Sequence, residues 1–491
     1  MINLKIYEII STFSEKDWNN LILNIKSSDA TSGRKYLPLV LELRNFRTRL
    51  PELKKIPVSE IFGIAYNKTF NIRTISSRQC ELLILLKKFL ENNAYNKKEL
   101  LGTYLFFDEL ISRNLQNIFS AEYKKKKDLL KNNYFNDDSY HFLSKIIFKK
   151  SDFFELLNDK NNSANAFFEH SRVLLADILS NLYETGHTLL IYKYYNVKNE
   201  FDPMLKFIDS MGSEKYFEEL EERKEPIFII PLIRYYIFKS FQHPDCKKYI
   251  SKAKRIYFAN EKYFTNDFKL RVYGMIMSYY FVKINNGELK YFKNQFVICK
   301  KKLKQNLVSD MMEHSSSNAS IFREYIVIGL HVNQYKWVEM VIKKYSPMLP
   351  EDIREDEYAL ALVRLYFAKK EYQKVIEITD NFKIKNTIHY LDSVGLKLMS
   401  LYELKKYEEC FLGIDRTKHF LMNNKLKTSG IAYNLEQYQD FIDIFSKLLN
   451  YRTNPFNKDI NSLLYDTEKS NSLAKNWVSR KIKELLKNIN T

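Results

Sequence analysis

Three stretches govern the reading of this chain: Asn333-Gln-Tyr-Lys-Trp-Val-Glu-Met-Val-Ile342, Lys370-Glu-Tyr-Gln-Lys-Val-Ile-Glu-Ile-Thr379 and Lys405-Lys-Tyr-Glu-Glu-Cys-Phe-Leu-Gly-Ile414. They align on Tyr335, Tyr372 and Tyr407, spaced 37 and 35 residues apart. Each stretch follows one amphipathic helical pattern and opens another. Three residues beyond each tyrosine stands a small or β-branched residue, Val338, Val375 or Cys410. This recurrence suits a stacked helix–turn–helix unit, in which the ring plugs the turn and the small residue lets the two helices approach.

The helical pattern extends outward from these repeats. Leu82, Leu83, Leu85, Leu86, Phe89 and Leu90 recur at helical spacing, with Ser76 and Ser77 available as caps. The same periodicity predicts helices over 101–119, 167–183, 268–282, 321–330, 358–368, 394–404 and 438–449. Strand alternation and hairpin turns are missing; Asn286-Gly287 falls between two helical patterns. Eleven Gly and ten Pro in 491 residues are few against an average near ~12%. The expected fold is all-α: a helical-repeat solenoid of antiparallel helix pairs with an N-terminal helical module. The length exceeds what one core supports. The expected plan is an N-terminal module at 1–95, a central helical array at 96–318, repeats at 319–425 and capping helices at 426–491. Flexible points are expected at Asn158–Asn165 and His314–Ser320, where Ser, Asn and Asp cluster.

Lys plus Arg is 78 and Asp plus Glu is 59, a net charge of +19. That sign suits a polyanion partner. It also follows from a composition crowded with Lys, Asn, Ile, Tyr and Phe, so it predicts at most weak, salt-sensitive, nonspecific nucleic-acid binding. The cysteines, Cys80, Cys246, Cys299 and Cys410, lie far apart with no metal-ligand spacing, which fits a reducing cytoplasm. The N-terminus lacks a secretory pattern. The most apolar run, Ile227–Phe238, is interrupted by Pro231 and Arg234 and is too short to span a bilayer. It reads as a buried helix start, with Pro231 near the first turn, and no membrane span is expected.

The repeats resemble the tetratricopeptide (TPR) class in period and in the turn pattern of a tyrosine followed by a small residue. They depart from it where a small residue is expected in each first helix, since Ile326, Val363 and Leu398 stand there. More of the chain resembles a family of uncharacterised, Lys/Asn-rich bacterial helical proteins. That likeness rests on Phe13-Ser-Glu-Lys-Asp-Trp18 with the helix from Arg78, on Leu401–Glu408, His419–Lys425 and Tyr438–Phe445, and on Ala474-Lys-Asn-Trp477. It implies architecture and no mechanism. The TPR resemblance implies a concave groove lined by first helices. Carried onto this sequence, the groove shows Arg323 and His331, then Glu357 and Arg364, then Asp392, Tyr402 and Glu403. Arg323 and Arg364 would clamp an acidic segment or a terminal carboxylate.

Motifs for chemistry are sparse. No Gly-rich phosphate loop is present, and no two glycines stand within four residues of each other. The histidines form no i, i+4 pair, and His389 and His419 read as helix-surface or cap residues. The acidic run Glu218, Glu219, Glu221 and Glu222 and the basic run Lys124–Lys127 read as solvated helix faces. The cluster Arg44, Arg47 and Arg49, with Tyr36 and Phe46 nearby, offers a modest nucleic-acid surface. The expectation is a non-enzymatic cytoplasmic scaffold or adaptor without cofactor or metal, binding a protein or peptide partner. The alternative is a basic helical protein associated with nucleic acid or ribosomes.

Overall fold

The computed structural model describes residues 2–27, 35–47, 52–53, 55–136, 139–194, 202–211, 214–308, 318–382, 386–424, 432–454, 460–470, 472 and 474–489. Among them 86% are helical and none lies in a strand. The first helices are α1 (Leu4–Ser11), α2 (Glu15–Ser27), α3 (Leu37–Asn45), α4 (Val58–Tyr66), α5 (Ile72–Asn96) and α6 (Glu99–Ser112). Next come α7 (Gln116–Asn132), α8 (Tyr140–Leu156), α9 (Lys160–Tyr194), α10 (Pro203–Met211), α11 (Glu214–Arg223) and α12 (Ile229–Gln242). Then follow α13 (Lys247–Asn260), α14 (Asn266–Asn285), α15 (Tyr291–Lys304), α16 (Asn318–His331), α17 (Tyr335–Tyr345) and α18 (Glu351–Ala368). The last are α19 (Tyr372–Asn381), α20 (Thr387–Glu403), α21 (Tyr407–Asn424), α22 (Ala432–Thr453), α23 (Ile460–Lys469) and α24 (Lys475–Ile489). No helix among the described residues is long and apolar enough to cross a membrane.

The chain divides into two compact units, Met1–Phe238 with Lys252–Tyr263, and Lys239–Ser251 with Phe264–Thr491. In the first, a core runs from Ile6 to Phe89. Trp18 is buried there, edge-on to Phe13 at 5.3 Å, and Phe13 reaches Phe89 at 5.6 Å. The cap of α5 is Asn71, whose side chain accepts from Thr74 N at 2.8 Å, so Ser76 and Ser77 lie inside the helix instead. The stretch expected as one helix over 101–119 is two. Asn114 takes φ 57° between α6 and α7, and the turn lets Phe107 stack near Phe119 at 4.9 Å. In Asn158–Asn165, Asn158 makes the turn after α8, and Asp159 caps the start of α9 by accepting from Asn162 N at 3.1 Å. Of the second expected flexible point, residues 314–317 lie outside the described residues and Asn318–Ser320 open α16. Pro231 is the third residue of α12, and Ile230, Ile233, Tyr236 and Phe238 around it are buried, as its apolar run requires.

In the second unit the three aligned tyrosines are the first residues of α17, α19 and α21. Val338, Val375 and Cys410 are each 0% exposed. The turns before them are closed identically. Asn333, Lys370 and Lys405 sit at φ 56°, 62° and 61°. The next residue donates its N–H five residues back, Gln334 to Gly329, Glu371 to Tyr366 and Lys406 to Leu401, each at 2.9 Å. This is a Schellman closure built without glycine at its left-handed position. Close helix approach is kept by glycines at other places than a TPR pattern prescribes. A Cβ on Gly329 would stand 2.5 Å from Val338 Cγ2, and one on Gly413 would stand 2.6 Å from Leu398 Cδ2. Helix α16 packs on α17 and α18, α18 on α19 and α20, and α20 on α21 and α22. Residues 376–421 share one apolar core with 435–485, so the segment expected as a cap contributes Phe445, Leu448, Val478 and Ile482 to the repeats' own interior.

Candidate functional site

Successive first helices α16, α18 and α20 bring four of the seven expected groove residues together as two ion pairs. Arg323 of α16 spans the carboxylate of Glu357 on α18, with Nε donating to Oε2 at 3.0 Å and Nη2 lying 2.8 Å from Oε1. One repeat on, Arg364 of α18 donates from Nη2 to Asp392 Oδ2 of α20 at 2.6 Å. Tyr438 of α22 donates to the other oxygen of Asp392. Burial, and then the Asp392 charge, hold the Tyr438 phenol far above its ordinary range. Between the two pairs lies His389, whose Nε2 is 3.5 Å from Glu357 Oε1. It is buried, so it is not a surface residue, and burial lowers its pKa against the pull of Glu357. Periodicity could not reveal this role, because His389 stands in the first turn of α20, capped by Asn386.

The other expected groove residues are placed differently. His331 stacks on Phe292 of α15 with centroids 3.9 Å apart. Tyr402 is buried against Tyr407, Phe445 and Trp477. Glu403 accepts from Trp477 Nε1 at 3.0 Å and pairs with Lys481 Nζ at 2.9 Å, which ties α20 to α24. Both arginines of the expected clamp are thus neutralised within the chain. They are not free cations awaiting a carboxylate.

Beside the Arg364–Asp392–Tyr438 group opens a cleft of about 340 Å³ between α18, α20, α22 and α24. Phe367, Leu391, Leu396, Met399, Phe441 and Trp477 form its apolar walls. Gly395 lies on one wall, where an added Cβ would meet Phe441 at 3.6 Å, ordinary contact distance. The missing side chain therefore leaves room that the rest of α20 does not fill. The cleft can bury one bulky apolar side chain next to a paired guanidinium and phenol, the mix of apolar wall and few polar groups that ligand sites use. Its residues come from helices more than a hundred positions apart, so the repeat alignment identified two of them, Arg364 and Asp392, and missed the rest.

Several members of the clusters outside the repeats are paired within the chain. Lys252 Nζ lies 3.2 Å from Glu218 and 3.4 Å from Glu221, Arg255 also pairs with Glu221, and Tyr236 donates to Glu221 at 2.6 Å. Arg44 and Arg47 both pair with Glu15, while Tyr36 and Phe46 are buried and unavailable to bases. Arg49 lies outside the described residues. In the lysine run, Lys125 pairs with Glu122 and Lys126 with Glu99. Among the described residues no group of three or more His, Cys, Asp or Glu side chains converges as a metal site. Comparison of the chain with protein-family models, with curated proteins and with solved structures finds no match.

Proposed function

We propose that this chain is a non-catalytic helical-repeat adaptor of TPR-like plan, holding a protein or peptide partner on the first-helix face of its second unit. The observation that carries the reading is the cleft beside Arg364. It is apolar, within the size range of ligand pockets, and walled by two consecutive first helices of the repeat, α18 and α20, together with α22 and α24. The recurring turn and the first-helix-on-first-helix packing support the repeat plan. A partner of this shape inserts one aromatic or branched aliphatic anchor and lays its flanks along the rim.

The test is recovery of partners from a native lysate by the intact chain and by Gly395→Leu, with and without nuclease. Leucine at 395 fills the cleft and keeps both members of each ion pair, and the wild type and variant should melt alike. Loss of the same proteins from the variant, insensitive to nuclease, supports the reading. Identical recovery by both proteins removes the cleft from consideration. Partners lost on nuclease treatment transfer support to the nucleic-acid alternative.

A further inference from the structure

The outer side of α9 is unlike the surface of an ordinary helix. Its outward positions recur at three and four residues, through Ala164, Phe167, Ser171, Leu174 and Ile178. All five are exposed, Ile178 at 52%, and Phe168 beside them is 66% exposed. The stripe continues through Asn181, Thr185 and Thr188 to Tyr192 without one charged residue, although 28% of the chain is charged. The opposite side of α9, with Val173, Ala176, Leu179 and Tyr183, is already buried in the core of its own unit. A helix apolar on both sides is one that is covered on both sides.

Nothing in the stripe resists burial. Ser171 Oγ donates to Phe168 O at 2.9 Å and Thr188 Oγ1 to Glu184 O at 3.1 Å. Asn181 Nδ2 donates to Asp177 O at 3.0 Å. The charges along its edges are satisfied within the chain, Arg172 by Glu225 and Glu169 by Lys150. On the neighbouring helix α8, Phe148 widens the patch, its ring 6.3 Å from Phe167.

Charge and spacing identify what covers this face. Two copies of a chain carrying +19 repel each other, so a contact between copies must form where cations are absent or neutralised. This stripe meets that condition. An antiparallel copy centred on Ser171 overlaps α9 from 160 to 182, about 33 Å of helix at 1.5 Å per residue, enough for the seam of a two-stranded helix pair. Its side-chain sizes are also self-complementary about Ser171. In an antiparallel pair centred there, Ser171 meets Ser171, Phe167 packs beside Leu174, and small Ala164 faces Ile178, as an isologous two-fold contact demands.

We propose that α9 is a self-association face, on which a second copy of this chain lays its own α9 antiparallel with the two-fold axis at Ser171. The inference is independent of the cleft. The mass of the full-length chain in solution, measured by light scattering or sedimentation, tests it. The wild type should be a dimer. Ile178→Glu should weaken it by about a hundredfold or more, because the carboxylate is buried without a partner. Adding Ala164→Lys to that variant should restore the dimer, since position 164 of one copy faces 178 of the other. Ser171→Cys should form a disulfide between copies under mild oxidation, and Thr188→Cys should not, with peptide mapping separating these links from any at the exposed Cys80 and Cys246. A wild-type monomer at concentrations on the order of 100 µM overturns the proposal. So does a dimer indifferent to Ile178→Glu, a failed rescue without a 171–171 link, or a monomer that instead binds anionic phospholipid vesicles through this face.

Discussion

Replacing Arg323 with Met should destabilise the second unit more than replacing its partner Glu357 with Gln. The asymmetry follows from burial: the Glu357 side chain is 1% exposed and the Arg323 side chain 41%. Removing the guanidinium leaves a sealed carboxylate with only His389, whose charged form burial disfavours, nearby at 3.5 Å. Breaking a buried pair from that side costs about 3–5 kcal/mol. Removing the carboxylate charge leaves Arg323 in contact with water and an amide still able to accept, a loss nearer ~1–2 kcal/mol. The double variant should resemble Glu357→Gln alone, giving a coupling equal to the cost of Arg323→Met, about 3–5 kcal/mol. Urea unfolding of the four proteins, followed by circular dichroism, supplies all the terms. The reasoning fails if Glu357→Gln costs as much as Arg323→Met, or if Arg323→Met costs less than about 1 kcal/mol.

Three further outcomes follow from the fold. Lys370→Gly and Lys405→Gly relieve a left-handed backbone at φ 62° and 61° and should each stabilise the chain by up to about 1 kcal/mol in thermal melts, while Lys369→Gly, at the right-handed C-cap position of the same turn with φ −74°, should not. Tyr372→Ala should cost about 2 kcal/mol, the lower part of the range for large-to-small changes, because the ring is half-buried against Phe367 at 5.7 Å; Val375→Asp at the fully buried neighbouring site should prevent the second unit from folding, read as lost helical signal. His187 is held neutral by burial, its pKa lowered to about 4 from 6.5. The stability it lends is complete above pH 6.5 and is lost as the pH falls towards 4, about 3 kcal/mol in all; His187→Phe should flatten that part of the pH–stability profile.

Local features were legible in the sequence wherever their cause is local. The 3.6-residue period yields the helices, because backbone hydrogen bonding reaches only four residues. The three tyrosines begin α17, α19 and α21, and the residues three positions on are sealed. Caps and breaks were less legible. Asn71 rather than Ser76 caps α5, and α6 ends at Ser112, because several residues nearby can do either job and packing chooses among them. The left-handed Lys370 and Lys405 carry no sequence signal, since lysine is not a turn residue.

The candidate site divides along the same line. Alignment of the repeats placed Arg323, Glu357, Arg364 and Asp392 on related helix faces, and they do meet. That they meet one another, and so cancel, depends on partners 34 and 28 residues away along the chain. His389, Tyr438, Gly395 and Trp477 entered only through packing of α18, α20, α22 and α24. The uncharged side of α9 was hidden for a related reason: with apolar residues on both faces, α9 shows a core stripe and a covered stripe alike in the sequence, and only burial separates Val173 from Leu174. The sequence by itself determined that the chain is helical and where its repeated turns fall, because those depend on neighbours within one turn. The tertiary structure alone decided which charges are spent on each other, where a cleft stays open and which apolar stripe remains uncovered, because those depend on which distant helices come into contact.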